Sequence, residues 1–207
     1  MSSLKLLHSG GNGVIISAPS SNPASNITFT LPNVDGSAGQ VLKTDGSGNL
    51  SWVTLPITTV DRWRLTGSVT GEQDPLSSNL TQSNPTGAGK IGTGMSVSSG
   101  IWTFPSTGIY KIEAHWSLQN SASAVTWADM DIKFAQDGTN YNAMSRAVDS
   151  ISSSGYYTQT VTTLIVDVTD ASVSKLKFKV NYSHASTQVR GSGSDYTWFD
   201  FIRLGDT

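Results

Sequence analysis

GIWTFPSTGIYKIEAHWSL, residues Gly100 to Leu118, holds two strand-like runs joined by a Pro-Ser-Thr-Gly turn. In the second run Tyr110, Ile112, Ala114, Trp116 and Leu118 fall on one side of an extended chain, and Lys111, Glu113, His115 and Ser117 on the other. Side chains alternate across a strand with a period of two, so this run reads as a half-buried strand. Pro105 fixes φ and donates no ladder hydrogen bond, and Gly108 tolerates the positive φ of a tight reversal. The remaining chain is read as what pairs with this strand.

Downstream the same alternation returns. Ala128, Met130, Ile132 and Phe134 alternate with Asp129, Asp131 and Lys133, and Leu176, Phe178, Val180 and Tyr182 alternate with Lys175, Lys177, Lys179 and Asn181. Leu164, Val166 and Val168 mark another strand. The closing run YTWFDFIRL is apolar on both faces, as in a strand buried on both sides or lying at a subunit interface. Upstream, DRWRLTGSVT (residues 61–70) reads as the first strand of the globular part, with Trp63 and Leu65 against Arg62 and Arg64. Gly71 to Gly89 has almost no large apolar residue and reads as a long surface loop. No stretch has helical periodicity, and short strands at close spacing with polar turns predict an all-β sandwich or barrel.

Of the six Trp, six Tyr and six Phe, only Phe29 and Trp52 lie in residues 1–60, so the core is expected after them. The first 60 residues are short apolar runs broken by Gly, Asn, Asp, Pro and Ser, with one clear hairpin, Gln40 to Thr44 and Leu50 to Thr54. Such strands are marginal alone and would gain from intertwining with copies of themselves. A net charge of -2 gives no general attraction to nucleic acid or to anionic membranes. Zero cysteines remove disulfides, thiolate metal sites and Cys nucleophiles together. No run approaches the ~20 apolar residues of a spanning helix, and the N-terminus has too short an apolar stretch for a signal peptide, so a soluble protein without membrane insertion is expected.

Two segments resemble known families. LPNVDGSAGQVLKTDGSGNLSWV, Leu31 to Val53, is similar to a sequence recurring in bacteriophage tail-fibre and virion-appendage proteins, between an attachment region and a distal domain. Trp102 followed by Gly108-x-Tyr110-x-Ile112-x-Ala114, with the closing Phe199-Asp200-Phe201-Ile202-Arg203-Leu204, resembles the signature of the C1q and tumour-necrosis-factor-like jelly roll. Ile112 and Ala114 stand where that family has aromatics, and Asp200 where glycine is usual. The resemblance implies a jelly roll that associates as a homotrimer, with first and last strands near the threefold axis. No collagen-like repeat precedes it, which separates the chain from complement-type proteins.

Other motifs in the sequence have plainer readings than the chemistry they suggest. Gly87-Ala88-Gly89-Lys90-Ile91-Gly92 matches a dinucleotide fingerprint but lacks the preceding strand and following helix that it needs. No serine sits in a nucleophile elbow, and His115 reads as a solvated surface histidine. Asp129 and Asp131 read as solubilising residues on a wet face rather than as a glycosidase pair. Asp45-x-Ser47-x-Asn49 has the early spacing of a calcium loop without its later Gly and Glu. The Lys175, Lys177, Lys179 ladder reads as a solvated face or, alternatively, as a contact for anionic polysaccharide. Aromatics near turns, Trp127, Tyr141, Tyr156, Tyr157 and Tyr196, are the candidate receptor-binding residues; the plainer reading is that they cover sandwich ends or fill an interface.

The expectation is therefore all-β: a short β-rich N-terminal stem over residues 1–60 that anchors and trimerises, then a C1q/TNF-like jelly-roll head over residues 61–207. The resemblance implies a bacteriophage virion protein, a tail fibre or spike, that joins other virion proteins through its N-terminal region. Its head would bind a host-surface glycan or protein, without catalysis, cofactor, metal or nucleic acid. The alternative is a structural adaptor, baseplate or head-decoration protein that binds no receptor.

Overall fold

The period-two runs become paired strands in the computed structural model, which describes residues 3–17, 19–54, 57–83, 90–192 and 194–207. Contacts divide the chain into two units, Met1–Thr54 and Leu55–Thr207. In the first, β1 (Ser3–Leu7) pairs antiparallel with β2 (Gly13–Ser17), and β3 (Gln40–Thr44) with β4 (Leu50–Thr54). The β3–β4 turn is closed by Asp45, whose carboxylate accepts from the backbone of Ser47 and Asn49 and from the Asn49 side chain. Those bonds account for the calcium-like spacing as turn chemistry. The Trp52 indole donates to the Val34 carbonyl at 3.0 Å and lies so close to Gly36 that a Cβ there would sit 2.5 Å from its ring. Among the described residues, none of the buried apolar side chains belongs to this unit.

The second unit carries the core. Its strands are β5 (Val60–Leu65), β6 (Val69–Thr70), β7 (Leu80–Gln82), β8 (Ser96–Ser98), β9 (Ile101–Thr103), β10 (Gly108–Gln119), β11 (Val125–Ala135), β12 (Asn142–Ile151), β13 (Tyr157–Val168), β14 (Lys175–Tyr182), β15 (Gln188–Val189) and β16 (Trp198–Gly205). One sheet centres on β10, paired on one edge with β13 and on the other with β16 and, beyond it, β15; β5 and β7 follow β16, and β6 follows β15. The other sheet runs β12-β11-β14-β9-β8. The chain crosses between sheets at β7–β8, β9–β10, β10–β11, β12–β13, β13–β14 and β14–β15, the winding of a jelly roll.

Alternation explains which faces meet. Tyr110, Ile112, Ala114, Trp116 and Leu118 of β10 are wholly buried, facing Met130, Ile132, Phe178 and Val180 of the second sheet. Phe199 and Phe201 of β16 point into the same core. Phe178 stacks on Phe199 at 4.2 Å, and Trp102 meets Phe201 at 4.9 Å and the edge of Trp63 at 5.1 Å. Burying each such side chain contributes about 1.5–3 kcal/mol, and a well-placed aromatic pair adds about 0.5–1.5 kcal/mol. Polar atoms that enter this core are bonded where partners exist: Trp116 Nε1 donates to Thr162 Oγ1 and the Tyr110 hydroxyl to the Ser106 carbonyl, both at 3.0 Å.

The long loop after β6 departs from its sequence reading. Leu76 is completely buried, its N–H donating to the Phe178 carbonyl, and Leu80 to Gln82 form β7 on the edge of β5. A lone Leu in a polar segment has no period to reveal it. Of the dinucleotide-like segment, Gly87 to Gly89 lie outside the described residues, while Ile91 forms a bridge with Val60. There is no helix among the described residues, so none is long and apolar enough to cross a membrane.

Candidate functional site

The outward face of the β13-β10-β16-β5 sheet is built by register. His115 lies between Val161 and Trp198, Glu113 between Thr163 and Asp200, and Lys111 between Ile165 and Ile202. Trp198 and Asp200 pair in turn with Arg64 and Arg62. Val161 and Ile165 are 49% and 61% exposed on β13, and Leu204 is exposed on β16, across β10 from them. The charges between these apolar groups are satisfied within the chain: Arg62 grips Asp200 with two bonds of 2.6 Å, Lys111 meets Glu113 at 2.8 Å, and Arg64 meets Asp195 at 3.5 Å. His115 is half-buried rather than solvated. Its ring stacks on Trp198 at 5.2 Å, with the Arg62 guanidinium 4.1 Å from Trp198, and its Nδ1 lies 3.1 Å from the Tyr196 carbonyl. A carbonyl only accepts, so that nitrogen carries the proton.

At the Gln119 end of β10 this face turns polar and aromatic. The Arg190 guanidinium lies 4.1 Å from the Tyr157 ring centre and 3.9 Å from that of Tyr196. Tyr157 opens β13, Tyr196 precedes β16, and Arg190 follows β15, so three distant segments meet. Gln119 Nε2 donates to Gln188 Oε1 at 2.7 Å, and Gln188 Nε2 to Thr70 Oγ1 at 3.0 Å. A recess of about 150 Å³, lined by Gln119, Asn120, Ser121, Gly155 and Tyr157, opens beside them.

The outward face of the second sheet is a lattice of ion pairs. Asp131, only 1% exposed, takes a fork of two bonds from Arg146 at 2.6 and 3.0 Å and lies 4.0 Å from Lys179. Asp129 sits 3.9 Å from Arg146 with Oδ1 buried and unbonded. These two aspartates are therefore not the solvated surface residues expected, because β12 and β14 lay cations across them. The lysine ladder is likewise engaged rather than solvated: Lys177 and Lys133 clasp Asp74 at 2.7 and 3.0 Å, and Lys175 donates to the Ser172 carbonyl. Burial pulls the Asp74 pKa upward, but the two lysines outweigh it and hold the carboxyl below its ordinary value.

The five aromatic candidates divide by sheet. Tyr157 and Tyr196 come together around Arg190, and Tyr156 is the exposed neighbour of Tyr157. Trp127 is exposed near the start of β11, and Tyr141 lies under Lys177 at 4.7 Å, near the other end of that strand, with its phenol pushed up by burial. Sequence reasoning passed over Arg190, Gln119 and Gln188, which carry no motif. The one available signal was that Arg190 stands in a segment poor in acidic residues.

No protein-family model matches the chain, and no curated protein matches it. Solved structures do match. Murine APRIL at pH 5.0 superposes with a TM-score of 0.52 at 14% identity, over 70% of this chain and 98% of that one. Murine APRIL at pH 8.5 gives 0.51 at 13% identity with the same coverage. Eiger TNF from S. frugiperda gives 0.50 at 10% identity, over 73% and 95%. The fold of the globular unit is thus a TNF-like jelly roll.

Proposed function

We propose that this chain is the subunit of a homotrimeric bacteriophage virion appendage, a tail fibre or spike, whose jelly-roll head binds a host-surface glycan or protein. The observation that carries the reading is the outward face of β13, β10 and β16. Val161, Ile165 and Leu204 are exposed on it and Ile202 and Trp198 half-buried, and several large apolar side chains left in water on one sheet face, interleaved with paired charges, support an association surface. Arg62, Arg64 and Lys111 on that face are already paired with Asp200, Asp195 and Glu113, so covering them orphans none of the six, while Asp167 at the end of β13 stays at the rim. Neighbouring copies about a threefold axis, each covering part of the next one's face, are the occupants that suit both features.

The first unit supports the same reading from its poverty of core. Leu6, Ile15, Ile16, Ile27, Phe29, Leu31 and Val34 are exposed in one chain, as expected of a stem completed by its copies. The similarity of Leu31 to Val53 to virion-appendage sequences supports reading this stem as the attachment region that joins other virion proteins. Trimerisation also triplicates a weak receptor site, so that avidity does the work of affinity.

Light scattering on the purified protein, then adsorption of fluorescently labelled protein to a panel of bacterial cells, tests the proposal. The expected result is a mass about three times the 21.9 kDa chain, with saturable binding to some cells. A monomer removes the interface and the avidity argument together. A trimer that adsorbs to no cell leaves the structural adaptor reading in its place.

A further inference from the structure

We infer that Arg190, held between Tyr157 and Tyr196, is the anchor of a binding site for a carboxylate-bearing sugar, a hexuronate. The first support is a contrast among the arginines. Arg62, Arg64, Arg146 and Arg203 each have a carboxylate partner, in Asp200, Asp195, Asp131 and Asp206. Among the described residues Arg190 has none, and its side chain makes a single long contact, 3.4 Å from Nη1 to Ser117 Oγ. The guanidinium carbon lies over both rings, and apart from the Ser117 bond its N–H donors have no partner among the described residues. Those donors form the fork that a carboxylate matches with two parallel bonds. The rings and the Ser117 contact hold the fork in place beforehand, so little freedom is lost when an anion arrives.

The second support is what surrounds the fork. Tyr157 is 60% exposed, which leaves ring surface for the C–H face of a pyranose. Gln119 and Gln188 form an amide pair in which the Gln119 carbonyl oxygen accepts nothing from the described residues, an open acceptor for a sugar hydroxyl. Asn120 is spent on the fold, accepting from the N–H groups of Ala122 and Ser123 and donating to Thr187, which shapes the recess beside Tyr157. Arg190 is the one cation in this group, so it balances a monoanionic carboxylate rather than a dianionic phosphate ester. The site rests on the receptor reading above for the source of the sugar, a uronate-containing host polysaccharide.

The test is titration of the full-length protein with sodium glucuronate, sodium galacturonate, methyl glucoside and sodium acetate, followed by ligand-observed NMR. One hexuronate is expected to bind about tenfold or more tightly than either methyl glucoside or acetate, and R190K, which keeps charge but loses the planar fork, to lose about tenfold. Y157A is expected to weaken the hexuronate more than acetate, because the ring both meets the sugar and helps to hold the fork. Equal hexuronate affinity in R190K and the parent protein overturns the inference, as does acetate binding as well as the sugar acid. A fall in solution mass on R190Q also overturns it and assigns Arg190 to contact between copies. Cell adsorption without hexuronate binding sinks the site alone; hexuronate binding without cell adsorption sinks the receptor reading alone.

Discussion

Asp61 has no exposed surface, and its carboxylate accepts from Trp63 Nε1 at 2.8 Å, Gln82 Nε2 at 2.6 Å and the Met95 N–H at 2.8 Å. It thereby ties β5 to β7 and to the segment before β8. Asp61→Ala orphans three donors, and the expected cost is about 3 kcal/mol, read as a lower urea midpoint. Asp74 works differently, joining the loop before Leu76 to the lysines of β11 and β14. Its pKa is lower folded than unfolded, so its contribution is fully present above the ordinary 3.8 and is lost as pH falls through the depressed value. D74N is therefore expected to flatten the acid limb of the stability-against-pH curve. Urea midpoints measured from pH 6 down to about pH 2 check this, and an unchanged acid limb sinks it. Nothing in the sequence marks Asp61, because two of its three partners, Gln82 and Met95, arrive from segments far along the chain.

At the scale of elements, β10 was legible because its alternation is long and unbroken, and the structure buries the residues that alternation selects. Its start depends on Gly108, where φ is +137° and an added Cβ would lie 2.5 Å from the Gly205 carbonyl and from Arg203 Nε. Gly108→Ala strains the backbone and pushes β16 away, with an expected loss of about 1–3 kcal/mol seen in thermal or urea unfolding. The outward faces were less legible. Alternation says which residues point away from the core but not what crosses over them. The Arg146 cover on Asp131 depends on a β11–β12 register that a bulge resets between Ile132 and Lys133. The loop carrying Leu76 and β7 has no periodic signal, so its contribution to the core appears only when the chain is folded.

At the scale of the whole molecule, the two sheets close over one another while the β13-β10-β16 face keeps its apolar residues in water. Replacing Val161 and Ile165 by Glu places two carboxylates on that face without touching the core, since both side chains point outward. The double variant is expected to unfold within about 1 kcal/mol of the parent monomer and to lose the trimer mass in light scattering. A trimer of unchanged mass would show that copies meet elsewhere. The cluster around Arg190 belongs to this scale, because no two of Tyr157, Arg190 and Tyr196 share a strand.

By itself the sequence determined the class, since period-two burial, turn chemistry and the aromatic division between the first 60 residues and the rest are local or compositional. It also placed the β3–β4 hairpin and the alternating cores of β10, β11 and β14. Only the tertiary structure decided the strand order, the fate of Leu76, the ion pairs over Asp129 and Asp131, and the meeting of Arg190 with two of the five aromatic candidates. These depend on non-local pairing across the sandwich. Side-chain periodicity records which way a residue faces; it does not record which distant residue it will face.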